Sequence, residues 1–175
     1  MMRVSGNLLL AAAAVTLSAA GSVSDAADQS SGDGMEQVVI TIKTDPLKDP
    51  EPSCVALQIG MNLLMDVVPV GDTFVSVTPA DSVILFPTVE GVELINPDNQ
   101  INKRKKPKLV CDTPAGENTA SLAELLQTFV DSGGEVVICP LCAISRGITE
   151  PTQGMLGNAE EIHNLFLFAD KVIDF

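Results

Sequence analysis

Short apolar runs alternate with longer apolar or amphipathic segments along most of the chain. Four runs have strand length and are mainly apolar and β-branched: residues 38–42, 82–86, 135–138 and 172–175. Runs of this kind predict strands that are buried on both faces of a sheet. Residues 74–77 predict a further short strand, and residues 109–111 a short strand or turn.

The longer segments predict helices. Residues 54–65 are almost all apolar, and their Leu, Met and Ala content favours a buried helix over a strand. Ser121 begins a second helix, with a Glu three positions on, an apolar face at i, i+3, i+4 spacing and a Gly pair at its end. Asn158 begins a last helix in the same way. This alternation predicts an α/β fold with a mostly parallel sheet covered on both faces.

The sequence CPLC follows directly after the strand at 135–138. Pro140 suits the first position of a helix, so Cys139 is expected at the N-cap and Cys142 at the third helical position. Arg146 is then expected in the last turn. A helix N-terminus stabilises a thiolate and lowers a Cys pKa from about 8.5 to about 3.5–7.5. We therefore expect thiol chemistry here, with Cys139 as the nucleophile.

Other uses of this segment stay open. The two cysteines could be a buried or disulfide-bonded structural pair, or the dithiol of a disulfide oxidoreductase. A zinc site requires four suitably spaced ligands, and the chain has no second CxxC, so neither a metal nor a cofactor is expected. Nothing in the spacing makes His163, the only His, part of a Cys–His dyad.

Two further cysteines, Cys54 and Cys111, are disulfide candidates. Four cysteines allow three complete pairings, and the sequence does not choose among them. Cys54 begins the first predicted helix and Cys111 lies in a long loop, so both are expected near the rim of the sheet. A Cys54–Cys111 disulfide fits these positions, and the alternative for Cys54 is a small apolar core residue.

The N-terminus has the pattern of a secretory signal. Arg3 precedes a short apolar stretch and a zone of small residues, so we predict a signal peptide at 1–27, a flexible lead-in at 28–36 and a single domain at 37–175. The mature protein is then expected in the periplasm or outside the cell, without a membrane span.

The charge of the chain is strongly negative. A formal net charge of −13 disfavours nucleic acid and anionic membranes as partners. Five of the ten basic residues lie within 103–108, and this run predicts either a solvated loop or a patch for an acidic partner.

Four segments together resemble the DsrE/DsrF-like family, which includes the DsrE/TusD sulfur-relay proteins. The segments are VVITIKTDPLKDPEPSCVALQIGMNLL, SVILFPTVEGVELI, SLAELLQTFVDSGGEVVICPLCAISRGI and GNAEEIHNLFLFADKVIDF. Their order and spacing carry the resemblance, which covers residues 37–175. It implies a three-layer α/β/α fold with a five-stranded parallel sheet, and a homo-oligomer such as a trimer or hexamer.

The resemblance also implies a function. In sulfur-relay members a Cys at the end of the strand in the third of these segments accepts sulfur as a persulfide, and Cys139 matches it upstream of Arg146 and Gly147. We therefore expect an exported sulfur carrier or sulfurtransferase that exchanges sulfur with a protein or a small sulfur compound. Cys142 departs from the relay pattern and is expected to be the resolving thiol, and Arg146 to orient an anionic donor. The alternatives are a CPLC oxidoreductase and a non-catalytic oligomeric domain that binds a partner or a metal.

Overall fold

The computed structural model describes residues 36–99, 101, 110–112 and 119–175. The predicted signal peptide, most of the lead-in and the basic run at 103–108 lie outside these residues. In the part of the chain that is described, no helix is both long and apolar enough to cross a membrane.

Nine strands and four α-helices make up the described chain. The strands are β1 Gln37–Ile42, β2 Val67–Val70, β3 Thr73–Ser76, β4 Ser82–Pro87, β5 Val110–Asp112, β6 Thr119–Ser121, β7 Glu135–Ile138, β8 Met155–Leu156 and β9 Lys171–Asp174. The helices are α1 Glu51–Leu64, α2 Leu122–Asp131, α3 Pro140–Ile144 and α4 Ala159–Leu167, and a 3₁₀ helix spans Gly91–Ile95.

Five of the strands form one parallel sheet, in the order β8-β7-β4-β1-β9. In the centre of the sheet β1 pairs with β4, where Val39 lies opposite Ile84, and on its other side β1 pairs with β9. All pairs in this sheet are parallel. The predicted α/β class with a parallel, five-stranded sheet is therefore confirmed.

The two faces of the sheet are covered by different helices. On β1 the side chains of Val38, Ile40 and Ile42 join the large apolar cluster that contains the buried residues of α1 and α2. The intervening Val39 joins a smaller cluster with Leu165 of α4. Alternate side chains of a strand point to opposite faces, so helices lie on both sides, as a three-layer α/β/α fold requires.

Both capping boxes expected from the sequence are present. Ser121 and Glu124 bond each other reciprocally at the start of α2, and Asn158 and Glu161 do so at the start of α4. Each box satisfies amides that the first helical turn leaves unpaired, and this fixes where the helix begins.

Several details differ from the sequence-based expectations. The strand expected at 74–77 is β3, which pairs only with the unexpected β2 and lies outside the main sheet. The short strands β6 and β8 were not expected either.

The helix after Cys139 is shorter than predicted and ends at Ile144, because the amides of Arg146 and Gly147 bond to carbonyls only three residues back. Arg146 therefore lies in the closing turn rather than in the helix.

The connection from α2 to β7 depends on the lack of a side chain at Gly134. A Cβ there would overlap the ring of Phe129, which is fully buried. Gly134→Ala is expected to lower the free energy of unfolding by about 1–3 kcal/mol, the usual cost of overpacking a core. Urea denaturation measures this change.

A double-mutant cycle provides the control. Phe129→Leu removes the ring that the added methyl group would meet, although it leaves a cavity. The double variant is therefore expected to lose less stability than the sum of the two single changes. Strict additivity would show that the ring and the glycine do not make the close contact described.

Candidate thiol site

The CPLC segment lies at the carboxyl edge of the sheet. Its strand, β7, is the neighbour of β4, and parallel strands end at the same edge. Thr88 and Val89 follow β4, and Cys139 follows β7. The amide of Cys139 donates to the carbonyl of Pro87 at 3.1 Å, which brings the end of β4 beside the start of α3.

Cys139 is the N-cap of α3, and Pro140 is the first helical residue, as the sequence predicts. The Cys139 carbonyl accepts the first helical hydrogen bond, from Ala143 at 3.0 Å. Its sulfur makes no capping hydrogen bond. Burial, and secondarily the side-chain hydrogen bond with Cys142, raise the pKa of the Cys139 thiol, and the smaller opposing effects of the Cys142 amide and the Thr88 hydroxyl do not cancel this rise. Cys139 is therefore the more protonated of the two thiols.

Cys142 has the surroundings of a stabilised thiolate. The Val89 amide donates to its Sγ at 3.2 Å, and the Thr88 hydroxyl lies 3.5 Å from the same sulfur. Burial alone would raise the pKa of Cys142, but hydrogen bonds from Cys139, Thr88 and Val89 and the positive charge of Arg146 together lower it. Hydrogen bonds to the charged form of a group favour that form.

The structure therefore corrects the expected electrostatics of the pair. From the helix N-terminus alone, Cys139 was expected to have the lowered pKa. The directions are reversed, because burial is the largest effect on Cys139, whereas the Val89 amide and the charge of Arg146 act on Cys142 in addition to the Thr88 hydroxyl, which acts on both sulfurs. Local sequence around CPLC does not contain those donors.

Arg146 is held in place by a hydrogen bond to the Cys142 carbonyl and by an ion pair with Glu93. Its Nη1 donates to the carbonyl of Cys142 at 3.2 Å, and its Nε lies 3.5 Å from Glu93 Oε1 in an ion pair. Asn99 donates to the other oxygen of the Glu93 carboxylate at 2.7 Å. These contacts fix the guanidinium close to α3, where its charge contributes to the low pKa of Cys142.

The other two cysteines form a disulfide. Cys54 and Cys111 are joined with their Cα atoms 5.5 Å apart, and both are buried. The bond links α1 to β5 across 57 positions of sequence. Cys139 and Cys142 are free and partly exposed. The chain thus has one buried disulfide and one accessible dithiol.

The surface around the dithiol is apolar. Leu141 and Ile144, on either side of Cys142 in α3, are 79% and 62% exposed. Val89 is exposed as well. A reactant can therefore reach the sulfur of Cys142 over an apolar rim.

No metal site is evident in the described part of the chain, where no three His, Cys, Asp or Glu side chains come close enough to hold an ion. His163 is exposed on α4.

Fold and site together define a parallel α/β domain with a dithiol at the carboxyl edge of its sheet. Residues 61–175 match the DsrE/DsrF-like family, so the chain belongs to that family. Membership suggests a function of the sulfur-relay type. No curated protein matches the sequence significantly.

Four chains of known structure also match. One is the crystal structure of the ychN protein from E. coli, with a TM-score of 0.54 and 21% sequence identity over 81% of this chain and 100% of that chain. At this identity the likeness supports the fold alone.

The two free thiols are expected to differ in their reaction with iodoacetamide. Because the Cys142 pKa is lowered and the Cys139 pKa is raised, Cys142 should be alkylated first and at lower pH. Peptide mass spectrometry after short alkylation pulses across a pH series measures both rates. Free cysteine in the same buffers is the reference. Preferential labelling of Cys139 at neutral pH would contradict the assignment.

Proposed function

We propose that the protein is a sulfur carrier that takes up sulfane sulfur as a persulfide on Cys142 and releases it with the help of Cys139. The observation that carries the proposal is the pair of donors from Val89 and Thr88 to the sulfur of Cys142. A thiolate, rather than a thiol, is the nucleophile in sulfur transfer. Membership in the DsrE/DsrF-like family supports the choice of sulfur as the transferred atom.

Loading begins with attack of the Cys142 thiolate on the outer sulfur of a donor persulfide, R–S–SH. The S–S bond of the donor breaks, the donor leaves as the thiolate R–S⁻, and Cys142 holds the sulfur as Cys142–S–SH. No net oxidation or reduction occurs in this step, because one S–S bond replaces another.

Release follows one of two routes. An acceptor thiolate can take the outer sulfur, with Cys142 leaving as a thiolate. Alternatively, Cys139 loses its proton and attacks the sulfur of Cys142, which forms a Cys139–Cys142 disulfide and expels sulfide. In that second route the two cysteines supply the two electrons, so a reductant must restore the dithiol.

This assignment exchanges the roles expected from the sequence, where Cys139 was the persulfide carrier and Cys142 the resolving thiol. The exchange rests on the contacts, since the Val89 amide donates to the sulfur of Cys142 while burial raises the pKa of Cys139. Arg146 is given a positioning role, because the Cys142 carbonyl and Glu93 already engage its guanidinium.

We also propose that the protein is exported. The Cys54–Cys111 disulfide supports this, because structural disulfides persist in oxidising compartments such as the periplasm. Fractionation of cells that express the full chain, with the N-terminus of the recovered protein sequenced, tests the proposal. Recovery of uncleaved protein from the cytosol would contradict it.

We also propose that the protein is a homo-oligomer. Phe166, Phe168 and Val172 are exposed large apolar residues at the end of α4 and on the edge strand β9, and such surface is often covered by another copy. Light scattering coupled to gel filtration should give a mass of three or six chains, and a monomer at all concentrations would contradict this part.

Single-thiol variants test the carrier function. After incubation with polysulfide, Cys139→Ser is expected to keep a mass increase of one sulfur atom, because the attacking thiol remains and the resolving thiol is gone. Cys142→Ser is expected to show no such adduct. Intact-protein mass spectrometry under non-reducing conditions measures both, and Ser145→Ala, one turn away, is the matched control.

The opposite pattern, with the adduct on Cys142→Ser and none on Cys139→Ser, would restore Cys139 as the carrier. Reduction of an added disulfide by the wild-type protein, with no sulfur adduct on either variant, would favour an oxidoreductase that uses the same pair. Absence of both reactions would leave a non-catalytic binding domain.

A further inference from the structure

The backbone of Val89 is unusual. Its φ is 51°, in the left-handed region, and among the described residues it is the single non-glycine residue with a positive φ. For a β-branched side chain this conformation is disfavoured by sterics. Strained backbone of this kind persists only where the surrounding structure imposes it, and it concentrates at functional sites.

Two hydrogen bonds and one close approach hold the turn in this conformation. The Thr88 amide donates to the Ile42 carbonyl at the end of β1 at 2.9 Å, and the Gly91 amide donates to the Thr88 carbonyl at 2.8 Å. Gly91 itself packs against Ile42, so closely that a Cβ would overlap the Ile42 carbonyl oxygen. The turn is therefore pinned to β1 on both sides of Val89.

The pinned conformation places the turn beside the sulfur of Cys142, and the Thr88 hydroxyl also hydrogen-bonds to Cys139. The Val89 amide bonds to Cys142 Sγ at 3.2 Å, and the Thr88 hydroxyl is 3.5 Å from the same sulfur. Either partner can donate in the Thr88 contact, but when Cys142 is ionised only the hydroxyl has a proton to give. The Val89 amide and the Thr88 hydroxyl then both donate to a negatively charged sulfur.

We propose that the Thr88–Val89 turn sets the redox equilibrium of the Cys139–Cys142 pair, by stabilising the reduced form of the pair over its disulfide. The inference deepens the proposed function and rests on its assignment of Cys142 as the attacking thiolate. When Cys142 of the reduced pair is ionised, its sulfur carries negative charge and accepts hydrogen bonds from both groups. In the disulfide it carries none, so the same donors contribute less.

The exchange involved is that of a dithiol with a small disulfide, R–S–S–R. The Cys142 thiolate attacks one sulfur and expels R–S⁻, which gives a mixed disulfide. Cys139 then loses its proton and attacks the sulfur of Cys142, which expels the second R–S⁻ and closes the Cys139–Cys142 bond. Two electrons pass from the pair to the small disulfide, and stabilising the reduced pair makes that transfer less favourable.

The consequence is a pair that stays ready to accept sulfur. The Cys54–Cys111 disulfide is buried, whereas Cys139 and Cys142 are partly exposed. A stabilised reduced form keeps Cys139 and Cys142 available as thiols. Thr88 and Val89 are positioning residues, since they act through the sulfurs of the pair and above all through that of Cys142.

Substitution of Thr88 tests the inference. Thr88→Val removes the hydroxyl and keeps the shape, and Thr88→Ser keeps the hydroxyl. The full-length folded protein is equilibrated in buffers of reduced and oxidised glutathione, quenched with acid, alkylated and analysed by mass spectrometry. Loss of one hydrogen bond to a charged group should shift the equilibrium toward the disulfide by about tenfold in Thr88→Val. Thr88→Ser should stay close to the wild type.

Equal equilibria in the wild type and Thr88→Val would overturn the inference, and so would an equal shift in Thr88→Ser. Thr88→Ala is a second hydroxyl-free variant should Thr88→Val not fold, and circular dichroism identifies a folded sample. The readout is independent of sulfur loading. A shifted equilibrium without a persulfide adduct refutes the carrier function alone, and an adduct with an unshifted equilibrium refutes this inference alone.

Discussion

The thiol site depends on one contact, between the backbone amide of Val89 and the sulfur of Cys142. That contact exists because β4 and β7 are parallel neighbours, so the turn after one strand meets the helix after the other. It is maintained because β1, on the far side of β4, accepts a hydrogen bond from the Thr88 amide. The central three strands of the sheet thus act together to place a donor at a thiol, and the apolar clusters on both faces hold those strands in register.

The two cysteine pairs serve different purposes for physical reasons. Cys54 and Cys111 are buried and link α1 to β5, which suits a bond that stays closed. Cys139 and Cys142 lie at an accessible edge, and their pKa values are moved in opposite directions by their surroundings. Separated pKa values divide the tasks of a dithiol, since one thiol attacks while the other holds its proton until it is needed.

Features that depend on neighbouring residues could be predicted from the sequence, whereas contacts between distant segments could not. The Ser121 capping box, β7 and the placement of Cys139 and Pro140 at the start of α3 follow from neighbouring residues. The Thr88 and Val89 donors to Cys142 lie more than fifty positions away in the sequence, and only the order of the strands brings them to that sulfur. The sequence signal for this turn was Thr88, a polar residue directly after the buried strand 82–87, followed by Gly91 three residues on. The β2–β3 hairpin was missed in part because Pro69 disfavours a strand.

An NMR titration of the Val89 amide tests the central claim most directly. The labelled protein, with Cys139 and Cys142 reduced and Cys54–Cys111 intact, is followed across pH. The Val89 amide resonance should move in a single transition, below the pH at which ordinary cysteine ionises, and Cys142→Ser should abolish it. A resonance that stays fixed while Cys142 ionises, or that moves only above the ordinary cysteine pKa, would contradict the account.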